Sequence, residues 1–286
     1  MASSTIVLQS YRRHDVAGWI QCSLDSVRAW AAASGFDYEC LGDVFFELAP
    51  DWVRQRCGSE IFPVTDIARL YYLRSKLAAG YQRVVWVDAD VLVFVPERLQ
   101  VQTANGFAFC EEVVSGVDAE GKLHIQMPGL NNAFMAFDRD NPVLDFYLLS
   151  AEARIRRLPA GTPVTRTAVG PSLLHELAKL VPMARLRSIG MLNPWIMDDI
   201  ALGQGKRLAA YMRHVGHPFF AANLSHFNRH YAEPAGRAKL DQVYDVAAEK
   251  LLLSKGQVLN GLLALPGAYT ELDPCAVCHS SGPLMV

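Results

Sequence analysis

No window of this chain reaches the roughly 18 uninterrupted apolar residues that a membrane-spanning helix needs. The opening "MASSTIVLQS" has neither a basic leader nor a long apolar stretch, so a cytoplasmic protein without a transmembrane segment is expected. Neither sign of charge is in excess: 27 Lys and Arg face 29 Asp and Glu, which leaves no basic coat for nucleic acid and no acidic tail. The six cysteines mostly sit singly within apolar patterns, as reduced thiols do, so no disulfide framework is expected. Internal repeats and low-complexity segments are also absent.

What remains is ordinary globular composition, 51% hydrophobic and 20% charged over 286 residues. That length suits one large domain or two of about 150 residues. "TIVLQSY" reads as a strand. Trp19, Ile20, Leu24, Val27 and Trp30 then recur at helical spacing, and "FDYECLG" reads as a second strand. "VTDIARLYYLRSKLAAG" reads as a helix with Thr65 as N-cap and Gly80 just past its end. The strand "RVVWVD", an extended "VLVFV", the strand "GFAFCEE", a loop "SGVDAEGKLHIQMPG" and the strand "AFMAF" follow. Next come the helix "NPVLDFYLLSAEARIRRL" and a second, "VGPSLLHELAKL", with Pro171 at its first position. Alternating strands and helices imply an α/β fold with a largely parallel sheet, whose ligands gather beyond the carboxyl ends of the strands.

One such end carries a puzzle. "VVWVDADVLVFV" places Asp88 and Asp90 in an otherwise apolar run, where unpaired carboxylates cost several kcal/mol to bury. If the strand continues, both acids share a face; if it breaks, both converge on one spot. Like charges so close need a cation, and an all-oxygen pair suits Mg²⁺ or Mn²⁺ better than Zn²⁺. A solvated turn is the alternative.

The stretch "TDIARLYYLRSKLAAGYQRVVWVDADV" resembles the sugar-binding region, with its DXD motif, of retaining glycosyltransferases of the GT-A fold. The likeness is to the family 32 type and, more distantly, to family 8. "NNAFMAF" followed by Asn-Pro and a helix is similar to that family's Asn-Ala segment, and "VGPSLLHEL" to its Gly-Pro helix start, with Val169 where the family has Thr. The pieces fall in family order over about residues 61–180. The resemblance implies a Rossmann-like, mixed and mostly parallel sheet flanked by helices, spanning residues 1–230. A C-terminal helix, "AGRAKLDQVYDVAAEKLLLS", and a tail would make up 231–286. It also implies a metal-dependent, retaining hexosyl transfer from a nucleotide sugar, UDP-linked in the first instance, to a glycan, glycolipid or other hydroxyl acceptor. Peripheral membrane contact stays open.

The same resemblance assigns roles. Asp88, Ala89 and Asp90 meet the donor and its Mn²⁺ or Mg²⁺, and His226 in "NLSHFNRHY" follows a strand as a late-chain metal ligand would. Asp66 meets sugar hydroxyls and Arg69 the sugar or diphosphate, although a surface ion pair one helical turn long has the same spacing. Asn131 and Asn132 approach the donor sugar or make a turn, with Asn132 the nearer to catalysis. Gly170 opens a helix and lets substrate approach the backbone. Gln9, Ser10 and Tyr11, after the first strand, lie where the nucleotide would sit. Asp198 and Asp199 in "NPWIMDDIALG" are candidates for the carboxylate beneath the sugar ring, or else form a solvated turn.

Two other functions fit the same pattern. A sugar nucleotidyltransferase also pairs an α/β nucleotide fold with acidic metal ligands, but "SYRRHD" lacks the glycines of its phosphate loop. A carbohydrate-binding protein without turnover would bind a nucleotide sugar independently of metal. "CAVCH", Cys275 to His279, matches the haem-attachment pattern C-x-x-C-H and reads as an incidental or metal-prone tail.

Overall fold

A computed structural model describes residues 3–117, 123–125, 129–203, 205–225 and 234–263. Its centre is a six-stranded sheet. In chain order the first elements are β1 (Thr5–Ser10), α1 (Gly18–Ala33), β2 (Asp37–Leu41), a 3-10 turn at Asp43–Leu48, α2 (Asp51–Cys57), α3 (Ile61–Ala78), β3 (Arg83–Val87) and β4 (Val91–Val93). After these come β5 (Phe107–Glu112), β6 (Ser115–Val117), β7 (Leu123–Ile125), β8 (Gly129–Asp138), α4 (Val143–Arg157), α5 (Pro171–Leu177) and β9 (Arg185–Leu186). The order in the large sheet is β2-β1-β3-β8-β5-β9. Five strands run one way and β8 alone runs against them: the alternation led to a largely parallel α/β sheet, and the resemblance to a mixed one.

The chain continues through β10 (Ile189–Met191), α6 (Pro194–Leu202), α7 (Lys206–Val215), β11 (Ala221–Asn223), α8 (Pro234–Leu253) and α9 (Gln257–Asn260). β4 does not extend β3. It leaves the large sheet and joins a second one, ordered β10-β11-β4. The strand therefore breaks between Val87 and Val91, and the Val91 N–H closes a turn onto the Asp88 carbonyl at 3.1 Å. Both sides of the break are apolar because each belongs to a buried sheet, and Val84, Val85, Val87, Val91 and Leu92 are fully buried.

Helices cover the sheets with the residues their periodicity exposes to the core. α1 buries Trp19, Ile20, Leu24, Val27 and Trp30, and α3 packs on β3. Trp30 Nε1 donates to the Leu99 carbonyl, so its burial leaves no orphan donor. α8 packs on α1 and α6, with Trp19 and Tyr244 rings 4.8 Å apart and Trp19 Nε1 donating to Asp241. Leu240, Tyr244, Ala247, Leu251 and Leu259 join the same hydrophobic core as β1, β3 and β8.

Three local expectations change. α3 begins at Ile61 with Glu60 as N-cap, so Thr65 lies inside the helix and its Oγ1 donates back to the Ile61 carbonyl at 3.0 Å. A Thr within a helix satisfies its hydroxyl this way and loses its value as a start signal. The expected loop after β5 contains an antiparallel ribbon of β6 and β7. β8 starts at Gly129, so Asn131 and Asn132 lie within the strand and not before it, beside a register shift opposite Phe109 and Cys110. Gly80 sits past the end of α3 with φ +117°, the conformation that favours glycine.

α9 is tied to the second sheet by one side chain. Asn260 is buried; its Oδ1 accepts from the Phe219 N–H at 2.9 Å and its Nδ2 donates to the Phe219 carbonyl at 2.7 Å. An Asn260→Ala variant leaves a buried N–H and a buried carbonyl without partners. It should lose about 2 kcal/mol or more of stability, read as a lowered midpoint in urea with an unchanged slope.

Candidate functional site

The strand order reverses around β1, which pairs with β2 on one side and β3 on the other, and a ligand crevice belongs beyond the carboxyl ends at such a point. β3 delivers Asp88 there. Arg69 reaches the same place from the middle of α3, and Asn132 from β8. The three are joined through one guanidinium: Arg69 Nη1 lies 3.1 Å from Asp88 Oδ1 and donates to the Asn132 carbonyl at 2.9 Å, while Nη2 lies 3.3 Å from Asp66 Oδ1. Asn132 Nδ2 closes the ring by donating to Asp66 Oδ1 at 2.8 Å. Asp66, Arg69 and Asn132 are each about 5% exposed, and a quarter of the Asp88 side chain still meets solvent.

Trp86 completes the setting. It stands two residues before Asp88, on the same side of β3, and its Nε1 donates to Asp88 Oδ1 at 2.6 Å. Its ring stacks on Phe45 at 5.3 Å and carries the Arg69 guanidinium 5.1 Å from its centroid. Asp88 Oδ1 is thus spent on two donors of the protein.

The electrostatics follow from this burial. Burial pushes the Asp88 carboxyl up; Arg69 pulls it back, and the charge of Asp90 adds to the rise. Asp66 is likewise raised by burial, against Arg69 and Asn132. Burial alone would lower Arg69, but Asp88 and Asp66 more than offset it and hold it as a cation.

Asp90 sits in the turn and leans on the second sheet, where Asn223 Nδ2 donates to its Oδ1 at 3.2 Å. Beyond β1, Tyr11 is half-buried, and its hydroxyl is pushed up by burial with the charge of Asp90 contributing. Gln9 is fully buried and spent within the chain: its Nε2 donates to the Asp88 carbonyl at 3.2 Å and its Oε1 accepts from Tyr38 Oη at 2.9 Å. Ser10 and Ala89 border the same edge, at the ends of β1 and β3. Asn131 Nδ2 donates to Glu112 Oε1 at 2.9 Å, and its Oδ1 accepts the Ala133 N–H at 2.7 Å.

Gly170 borders the ring. A Cβ built on it would stand 2.7 Å from Asp66 Oδ2 and 3.2 Å from Asn132 Nδ2, so the space it leaves is filled by those two side chains. Tyr147, which the sequence reading did not single out, fixes the same turn by donating to the Val169 carbonyl at 2.8 Å.

Asp198 and Asp199 lie in α6. Asp199 Oδ1 accepts from Arg207 Nε at 2.8 Å, and its Oδ2 accepts the N–H groups of Arg207 and Leu208 at 2.9 and 3.0 Å, which caps the first turn of α7. None of these bonds reaches Asp88 or Asp90. Asp198 is raised by burial, with Arg207 and Lys239 opposing. His226, His230 and the C-x-x-C-H segment fall outside the described residues.

The donor set at the turn is all oxygen. Among the described residues no group of three or more His, Cys, Asp and Glu side chains encloses a metal. Two carboxylates nonetheless fit Mg²⁺ or Mn²⁺, which are held through one or two carboxylates together with substrate phosphates.

No family model and no curated protein matches the chain. Among solved structures it is similar to a glycosyltransferase involved in the glycosylation of the major capsid of PBCV-1. The identity is 10%, with 84% of this chain and 98% of that one covered, at a TM-score of 0.44. It is also similar to PaToxG glycosyltransferase, at 12% identity over 91% of this chain and 87% of that one, with a TM-score of 0.38. At TM-scores below 0.5 neither likeness bears on function, which rests on the chain's own geometry.

Two substitutions measure how this ring is held. Arg69→Leu leaves Asp66 and Asp88 facing each other without their shared cation, and should cost about 3–5 kcal/mol of unfolding free energy. Gly170→Ala forces Asp66 or Asn132 to move and should cost about 1–3 kcal/mol, visible as a lower Tm.

Proposed function

We propose that this chain is a metal-dependent, retaining glycosyltransferase that moves a hexose from a nucleotide sugar, UDP-linked in the first instance, to a hydroxyl acceptor on a glycan, a glycolipid or a related molecule. The observation that carries this reading is the Asp88–Asp90 turn at the carboxyl edge of β3, at the point where strand order reverses, with one Asp88 oxygen already occupied by Arg69 and Trp86. A carboxylate pair so placed fits the diphosphate of a donor held through Mn²⁺ or Mg²⁺. Bound there, the ion would neutralise charge on the departing diphosphate.

The protein's own groups supply position. Arg69 and Trp86 hold the Asp88 carboxylate so that its other oxygen is aimed before any ligand arrives, and Asn223 does the same for Asp90. Tyr11 borders the nucleotide side. The acceptor oxygen bonds to the anomeric carbon on the face the leaving group vacates, the bond from that carbon to the phosphate oxygen breaks, and the departing phosphate takes the hydroxyl proton. The Asp199 carboxylate is engaged as the cap of α7, so this scheme gives it no nucleophilic role. His226 would follow Asn223 by three residues as a further metal ligand.

The test uses the purified chain, a panel of nucleotide sugars, and Mn²⁺ or EDTA, with nucleoside diphosphate release as the readout. Release should occur with one class of donor, stop with EDTA, and fall by about a hundredfold or more in Asp90→Ala. Release from no donor, or release indifferent to EDTA and to Asp90→Ala, overturns the proposal. Pyrophosphate in place of nucleoside diphosphate would point to a nucleotidyltransferase.

A further inference from the structure

α3 runs into β3 and so begins at the edge where β3 ends, and α4 follows the opposed strand β8 and so ends at that same edge. Tyr71 Oη donates to Glu152 Oε1 at 2.6 Å and ties the two helices together. Arg56 of α2 reaches the end of α4, its Nη2 donating to the Pro159 carbonyl at 3.0 Å. α2, the first turn of α3 and the last turn of α4 therefore form one surface beside the crevice. It exposes large apolar side chains: Ile61 and Phe62 open α3 at 47% and 43% exposed, and Phe62 stands one turn before the buried Asp66.

The same surface is basic. The last turn of α4 holds Arg154, Arg156 and Arg157. Arg156 lies over the Trp52 ring of α2, 3.5 Å from its centroid, and Arg166 over Phe62 at 3.9 Å, so each contact presents a cation and an apolar ring together. Arg154 meets Glu176 at 2.7 Å, Arg156 meets Glu152 at 3.9 Å and Arg166 meets Glu60 at 4.0 Å. Arg56 has uncharged carbonyls for partners, and the exposed Arg157 forms no ion pair among the described residues, so positive charge is in excess. The dipole at a helix C-terminus accounts for the arginines of α4 but not for the exposed Ile61 and Phe62 beside them. Cations next to exposed aromatic and aliphatic side chains match the border of a bilayer, where phosphates lie above acyl chains.

We propose that this end of the molecule docks on an anionic lipid surface, with Ile61, Phe62 and Trp52 entering the headgroup boundary and Arg156 and Arg157 set against lipid phosphates. Docked so, the crevice lies at the lipid surface, because Phe62 and Asp66 are one helical turn apart. The hydroxyl acceptor is then one carried by the membrane. That last step rests on the glycosyl-transfer reading of the crevice; the docking does not.

The test sediments the full chain, without donor or metal, with vesicles of phosphatidylcholine alone or with about one third phosphatidylserine. Binding should be about tenfold or more tighter to the anionic vesicles and should fall about tenfold or more as salt rises from about 0.1 M to about 0.5 M. Arg157→Glu and Phe62→Ser should each weaken it about fivefold or more. Arg213→Glu, the same change of net charge at an exposed position on α7, should leave it within about twofold. Binding to neither vesicle, or a loss in Arg213→Glu as large as in Arg157→Glu, overturns the proposal. Capture by single-stranded DNA without vesicle binding also overturns it and marks a different polyanion as the partner. Vesicle binding without nucleoside diphosphate release from any donor upholds the docking and overturns the transfer reading, and release without vesicle binding does the reverse.

Discussion

One buried guanidinium organises the edge of this molecule. Arg69 comes from α3 and answers a carboxylate on its own helix, a carboxylate beyond β3 and a carbonyl of β8. Three elements distant in sequence are thereby fixed relative to one another by groups that cannot stay charged inside a protein without each other. The arrangement is poor value as bare stabilisation, since hydrophobic packing would serve as well. What it provides is orientation: Asp88 arrives at the crevice with one oxygen committed and its position set.

The rest of the fold serves that edge. β8 must run against its neighbours so that its first residues, and not its last, lie beside Asp88 and present Asn132 to Arg69. The register shift on its β5 side leaves Asn132 free of a paired position in that ladder while Asn131 ties back to Glu112. Gly170 then closes the group from a separate segment, where a side chain would intrude. On the other side the second sheet takes over the chain after Asp90, which explains how an apolar run can contain two acids: it is two strands in two sheets with a turn between them.

Much of this was legible in the residues. Short apolar runs located β1, β3 and β5, helical spacing located α1 and the face of α3, and the acids marked the end of β3. Asp66 and Arg69, one helical turn apart, could equally have been a surface pair. Only tertiary structure shows them buried and shared with Asp88. Thr65 misled because a hydroxyl serves a helix interior as readily as a cap. Asp199 shows the same ambiguity for a carboxylate, since a helix N-terminus attracts one as well as a sugar does. Trp86 had a readable signal, its parity with Asp88, whereas Asn223 had none, because its partner lies 133 residues away.

Trp86 gives the site an optical property as well as a mechanical one. Its indole touches the two charges that matter most here, hydrogen-bonded to Asp88 and overlain by Arg69, while the other four tryptophans of the chain lie at residues 19, 30, 52 and 195. Any event that changes the charge on Asp88 alters the electric field along that ring. The molecule therefore carries its own chromophore at the crevice, and its ultraviolet emission is coupled to whatever the carboxylate holds.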